Sequence, residues 1–134
     1  MELKKGVKEL VTEAMEIVET LPTDAAIARH NDEDVVFVDI RDVRELEREG
    51  MIQGAFHAPR GMLEFWVDPK SPYHKDIFAS GKSFVFYCQS AWRSALATKA
   101  VLEMGLPNVA HIEGGFTAWK NAGGPVGERQ RRKD

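Results

Sequence analysis

Apolar and polar positions along this chain fall into short blocks of two periods, one helical and one strand-like. Val7, Leu10, Val11, Ala14 and Met15 recur at the i, i+3, i+4 spacing of an amphipathic helix over residues 7–15. Ile17 to Leu21 reads as a short edge strand, and Pro22 suits the first turn of a helix running towards His30. Val35-Val36-Phe37-Val38, ending at Asp39, is a continuous apolar run of the kind found in strands buried on both faces. Arg41 to Glu49 is highly charged and reads as a helix stopped by Gly50. Ala55 to Ala58 predicts a brief strand before Pro59; Arg60 to Gly81 is mixed, with turns at Asp68-Pro69 and Ser71-Pro72. Phe84 to Tyr87 is a second continuous apolar run. From Ser94, positions Ala97, Ala100, Val101 and Met104 keep helical spacing up to Gly105. Val109 to Ile112 predicts another strand, and Gly114-Gly115 leads into a last short helix around Phe116 to Asn121.

Strands that alternate with helices predict an α/β fold with a mostly parallel sheet. In such folds ligands sit at the carboxyl ends of the strands. The only cysteine, Cys88, falls at the end of the Phe84–Tyr87 run and just ahead of a helix. A helix N-terminus carries unpaired backbone N–H groups and a partial positive charge, a setting that favours a nucleophilic thiolate. The chemistry predicted for this chain is therefore sulfur chemistry at Cys88.

Composition narrows the alternatives. With 134 residues, 43% of them hydrophobic, the chain is expected to bury one core as a single domain. No apolar run approaches membrane-spanning length, and Met1-Glu2-Leu3-Lys4-Lys5 leads into a charged stretch rather than the apolar segment of a signal peptide. The expectation is a cytoplasmic protein with no membrane contact. One cysteine excludes an internal disulfide, and His30, His57, His74 and His111 show no metal-ligand spacing, so neither a metal nor a cofactor is expected. The net charge of −3 gives no support to nucleic-acid binding. Residues 128–134 hold four basic and two acidic side chains, and Arg129, Arg131, Arg132 and Lys133 read as a solvated, disordered end.

Three blocks around these positions, and a fourth behind them, give the chain a family likeness. Val38-Asp39-Ile40-Arg41-Asp42 with Glu45, the segment Gly50-Met51-Ile52-Gln53-Gly54-Ala55-Phe56-His57-Ala58-Pro59, and Tyr87-Cys88-Gln89-Ser90-Ala91-Trp92-Arg93-Ser94-Ala95 resemble the rhodanese (sulfurtransferase) family. Asn108-Val109 through Glu113-Gly114-Gly115-Phe116-Thr117-Ala118-Trp119 fits as well. Four ordered blocks are far more specific than a lone Cys-x4-Arg. The resemblance implies an open five-stranded, mostly parallel sheet with helices on both faces. It divides the chain into a helical extension (residues 1–15), a rhodanese-like domain (16–126) and a basic tail (127–134).

It also implies a loop of backbone N–H groups folded around the sulfur of Cys88, with Gln89, Ser90, Ala91, Trp92 and Arg93 as the substrate-binding residues. Loop length matters within this fold: four residues stand between Cys88 and Arg93, as in the sulfurtransferases, whereas related phosphatases and arsenate reductases have five. The implied reaction takes a sulfane sulfur from thiosulfate or a persulfide donor onto Cys88 and passes it to cyanide or a thiol. A persulfide relay module with a protein partner is the alternative, and the oligomeric state stays open. Arg93 is the candidate for pairing with an anionic donor group, an ordinary loop-to-helix salt bridge being the other reading. Departures from the family pattern are Gln89 where thiosulfate-using relatives often carry a basic residue, Ala91 in place of the usual glycine, Met51 in place of histidine, and the bulky Trp92. Asp39 and Arg41 read as structural; Arg60 as a solvated surface charge; His57 and His111 as satisfied core or half-exposed residues; Phe65, Trp66 and Trp119 as core or pocket wall.

Overall fold

The structure, a computed structural model, describes residues 1–129. Among the described residues, seven strands and six helices follow in order: α1 (Val7–Ile17), β1 (Glu19–Leu21), α2 (Thr23–Ala28), β2 (Val35–Asp39), α3 (Val43–Glu49), β3 (Met51–Ile52), β4 (Phe56–His57), α4 (Leu63–Val67), β5 (Ser83–Tyr87), α5 (Trp92–Glu103), β6 (Val109–Ile112), α6 (Gly115–Asn121) and β7 (Val126–Gly127). Short 3-10 turns at Arg60–Met62 and Asp76–Ala79 flank α4 and lead into β5.

Five strands form one sheet in the order β1-β6-β5-β2-β4, every neighbouring pair parallel. The two continuous apolar runs occupy its centre because both faces are covered. Along β5, Phe84 and Phe86 point to one face and pack with Val38, Ile40, Leu63, Ala97 and Val101. Val85 and Tyr87 point to the other and pack with Phe37, Ile52, Phe116 and Trp119. Removing a phenylalanine such as Phe86, which has no exposure left, from water stabilises the fold by about 1.5–3 kcal/mol. Cys88 continues the Phe84–Phe86 face and belongs to the same core cluster.

The register Val38↔Phe86 and Asp39↔Tyr87 brings the carboxyl ends of β2 and β5 level. Their loops, with those after β4 and β6, therefore open at one edge of the sheet. Asp42 caps α3 there: its carboxylate accepts the Arg44 N–H at 2.9 Å, and the Glu45 carboxylate accepts the Asp42 N–H at 2.9 Å.

Several elements differ from the sequence expectation. β3 and β7 form a separate antiparallel ribbon with pairs Met51↔Gly127 and Ile52↔Val126; two-residue strands carry no readable period. Helix α5 begins at Trp92 rather than Ser94, because the first turn faces solvent and adds no apolar periodicity. Helix α4 lies inside the stretch that reads as mixed. The predicted 7–15 helix extends to Ile17 and packs through Val11 and Ala14 onto Ala95 of α5. Of the basic tail, residues 130–134 lie outside the described residues.

Candidate active site

The loop from Cys88 to Ala91 is held from below by the first turn of α6. Phe116 N–H donates to the Cys88 carbonyl at 2.9 Å, and Thr117 N–H to the Gln89 carbonyl at 3.2 Å. In a trans peptide the carbonyl and the following N–H point in opposite directions. Drawing these two carbonyls towards α6 therefore aims the N–H groups of Gln89 and Ser90 away from it. The approach is close enough to require a glycine: a Cβ on Gly115 would stand 2.5 Å from the carbonyl oxygens of Cys88 and Ser90. The Gly114-Gly115 turn is thus the support of the cysteine loop.

Cys88 is 1% exposed and forms the floor of the site. Its Sγ accepts the backbone N–H of Ser94 at 3.4 Å. Among the described residues, the N–H groups of Gln89 to Arg93 donate to no backbone carbonyl. With the Ser94 N–H on the sulfur, these five donors stand beside it without a backbone partner. Ser94, one residue past the predicted set, makes the direct contact. Its own position is fixed on both sides: Ser94 Oγ donates to the Ala91 carbonyl at 3.1 Å and meets His111 Nδ1 at 2.9 Å. Thr20 Oγ1 meets the other ring nitrogen of His111 at 2.9 Å. With Ser94 donating to Ala91, His111 Nδ1 carries the proton and Nε2 accepts from Thr20. Burial lowers the His111 pKa to about 4, so the ring is neutral across the physiological range.

Arg41 is the second support. Its side chain has no exposure, and its guanidinium is forked on Asp39 with Nη2–Oδ2 at 2.7 Å and Nε–Oδ1 at 3.0 Å. It also donates to the Gly50 carbonyl at 2.8 Å and to Gln89 Oε1 at 2.9 Å, and it lies 4.4 Å from the Phe116 ring centroid. Burial opposes its charge, but the bonds and field of Asp39 hold its pKa above the ordinary arginine value. His57 binds the Arg41 carbonyl oxygen at 2.7 Å. Arg41 and Asp39 thus form a buried pair that holds the loop through Gln89.

The predicted site residues fall into distinct places. Gln89 turns inward, binding Arg41 and, through Nε2, Thr117 Oγ1 at 2.9 Å. Ser90 is exposed at the loop tip. Ala91 has φ −173°, outside the left-handed region that favours glycine, so the backbone here does not call for the usual glycine. Trp92 stands 47% exposed on the first turn of α5. Arg93 is paired with Glu45: Nη1 and Nη2 each lie 2.9 Å from one of its carboxylate oxygens. That pair holds the Glu45 carboxyl below the usual carboxylate range. Arg60 is likewise engaged, 2.6 Å from Glu64. The sequence reading missed Ser94, Glu45 and the α6 N–H groups; the Gly114-Gly115 pair was the visible sign of the last.

Comparison with known proteins identifies the family of the fold. The family model described as Rhodanese-like domain matches residues 23–122. A solved structure from Rhodopseudomonas palustris, described as a protein of unknown function and possible tyrosine phosphatase, is 56% identical; the alignment covers 95% of this chain and 98% of that one, with a TM-score of 0.92. The polysulfide-sulfur transferase homodimer of Wolinella succinogenes is 27% identical over 95% of this chain and 90% of its own, with a TM-score of 0.68. An uncharacterized protein of Synechocystis is 36% identical over 92 residues, 69% of this chain. That match covers 46% of the Synechocystis protein, so the chain spans about half the length of that curated relative.

Proposed function

The chain belongs to the rhodanese-like domain family, and on that premise we propose that it is a sulfurtransferase working through a persulfide on Cys88. The observation that carries this reading is the Cys88 Sγ held by the Ser94 N–H beneath a loop of N–H donors without carbonyl partners. Two displacements at sulfur make up the cycle. The Cys88 thiolate attacks the outer sulfur of thiosulfate or a persulfide, releasing sulfite or a thiolate. A thiophilic acceptor, cyanide or a thiol, then takes the outer sulfur and restores the Cys88 thiolate. Negative charge stays at the cysteine in both steps, where the loop donors meet it; one such donor is worth about 3 kcal/mol of barrier in hydrolases.

Two experiments test the proposal. Intact mass after incubation with a sulfur donor is expected to gain one sulfur atom, lost again on cyanide addition with formation of thiocyanate. The variant Cys88→Ser is expected to fold and to show no transfer; full activity in it would remove the nucleophile assignment. A carrier that relays sulfur from a protein persulfide is the second reading, favoured by the burial of Cys88. It predicts slow turnover on small donors beside fast protein-to-protein transfer. The description of the Rhodopseudomonas protein raises phosphatase chemistry as well. Four residues rather than five separate Cys88 and Arg93, and the Arg93 fork is taken by Glu45, which argues against a tetrahedral oxyanion here. Phosphatase turnover that disappears in Cys88→Ser would restore that reading.

A further inference from the structure

The arginines just beyond β2, β4 and β5 all carry a carboxylate partner. Arg41 is forked on Asp39, Arg60 lies against Glu64, and Arg93 is forked on Glu45. At the two ends of α3, Arg44 stands 3.0 Å from Asp42 and Arg48 3.7 Å from Glu49. Residue 89, directly after the cysteine, is a neutral glutamine whose amide is spent on Arg41 and Thr117. Glu45 is itself fixed, since Oε2 also accepts the Asp42 N–H at 2.9 Å in the cap of α3. The mouth of the site therefore offers backbone N–H groups and paired charges, with Arg93 neutralised in place.

Donors make different demands on such a mouth. Thiosulfate is a dianion meeting a thiolate, so three negative charges must share the loop before sulfite leaves. An organic hydropersulfide, R–S–SH, arrives with at most one negative charge. The Cys88 thiolate attacks its outer sulfur, the R–S to SH bond breaks with its electron pair going to R–S⁻, and Cys88–S–SH forms. With the protonated donor one negative charge is present throughout, and with its anion two, against three for thiosulfate; no oxidant or reductant is needed. Backbone N–H donors suit a small charge, whereas like charges brought together repel unless free cations offset them. The largely open Trp92 ring adds apolar surface for a carbon skeleton.

Building on the sulfurtransferase reading, we infer that the site takes its sulfur from a hydropersulfide of an organic thiol rather than from thiosulfate, with Glu45 setting this choice and Trp92 contacting the donor's carbon part. The test is the rate of persulfide formation on Cys88, followed by intact mass, with thiosulfate and with 2-mercaptoethanol persulfide. Wild type, Glu45→Gln and Trp92→Ala are compared. Glutamine still accepts the Asp42 N–H, so the cap of α3 survives the first change. Wild type is expected to load from the organic persulfide faster. Glu45→Gln, which frees the Arg93 charge, is expected to raise loading from thiosulfate about tenfold, equivalent to 1.4 kcal/mol, and to leave the organic donor within about twofold. Trp92→Ala is expected to weaken half-saturation by the organic donor about fivefold, a larger change than for thiosulfate. Faster wild-type loading from thiosulfate, or no gain in Glu45→Gln, would overturn the inference while sulfur transfer stood. Loading from neither donor by a thiol that still reacts with iodoacetamide would overturn the sulfurtransferase reading itself.

Discussion

Replacing Gly115 by alanine probes the support of the cysteine loop directly. The added Cβ would lie 2.5 Å from the carbonyl oxygens of Cys88 and Ser90 and 2.8 Å from the carbonyl carbon of Gln89. A carbon and a carbonyl oxygen rest no closer than about 3.3 Å, so loop and helix must part by about 0.8 Å. Gly115 also has φ +58°, where a side chain costs about 1–2 kcal/mol. Overpacking adds about 1–3 kcal/mol, for a total of about 2–5 kcal/mol. Gly123→Ala supplies the control: its φ is +82° but no atom lies within 4 Å of the added Cβ, so only the backbone cost of about 1–2 kcal/mol remains. Displacement of the N–H donors by the better part of an ångström is expected to slow persulfide formation about 10²-fold in Gly115→Ala and to leave Gly123→Ala at the wild-type rate. Urea midpoints and loading rates from the organic persulfide measure the two quantities. Equal stabilities and equal rates for the two variants would refute the view that α6 holds the loop in its working shape.

Other perturbations reach other parts of the same support. Arg41→Met leaves Asp39 buried without its cation and is expected to cost about 3–5 kcal/mol by urea unfolding, with partial recovery in the Asp39→Asn/Arg41→Met double variant. The buried His111 has its folded pKa lowered to about 4 from 6.5. Between these values the unfolded chain binds the extra proton, so stability is full above about pH 6.5 and falls as pH drops towards 4. The loss amounts to about 3 kcal/mol. Unfolding curves from pH 7 to 4.5 should show this slope, and His111→Asn should flatten it.

Legibility in the sequence followed how local each signal was. The β2 and β5 runs could be read because burial on both faces leaves an unbroken apolar stretch, and Cys88 because it ends one of them. The α6 support was visible only as a glycine pair. Sequence position shows where the Arg93 side chain starts, not where it ends, so its salt bridge stood only as one of two readings. Its partner Glu45 lies 48 residues away in the chain. Ser94 and His111, 17 residues apart, likewise meet only once β6 lies beside β5. Helix α4 escaped notice because five residues with Phe65 exposed give too short a period to read.

The strand that delivers the cysteine is apolar on both faces, and this bears on how the protein tolerates change. Sliding β5 by one residue would exchange Phe84 and Phe86 for Val85 and Tyr87 and keep the core oily on each side. Its hydrophobic pattern alone therefore does not choose the register. The choice falls to the polar anchors around its end: the Tyr87 hydroxyl accepting the Ile52 N–H at 3.0 Å, and α6 gripping the Cys88 and Gln89 carbonyls. A one-residue insertion or deletion in β5 would turn the thiol to the opposite face while sparing most of the burial. Such a lineage would keep a plausible core and lose its chemistry at once, so the groups that shape the loop are also those that keep the strand in step.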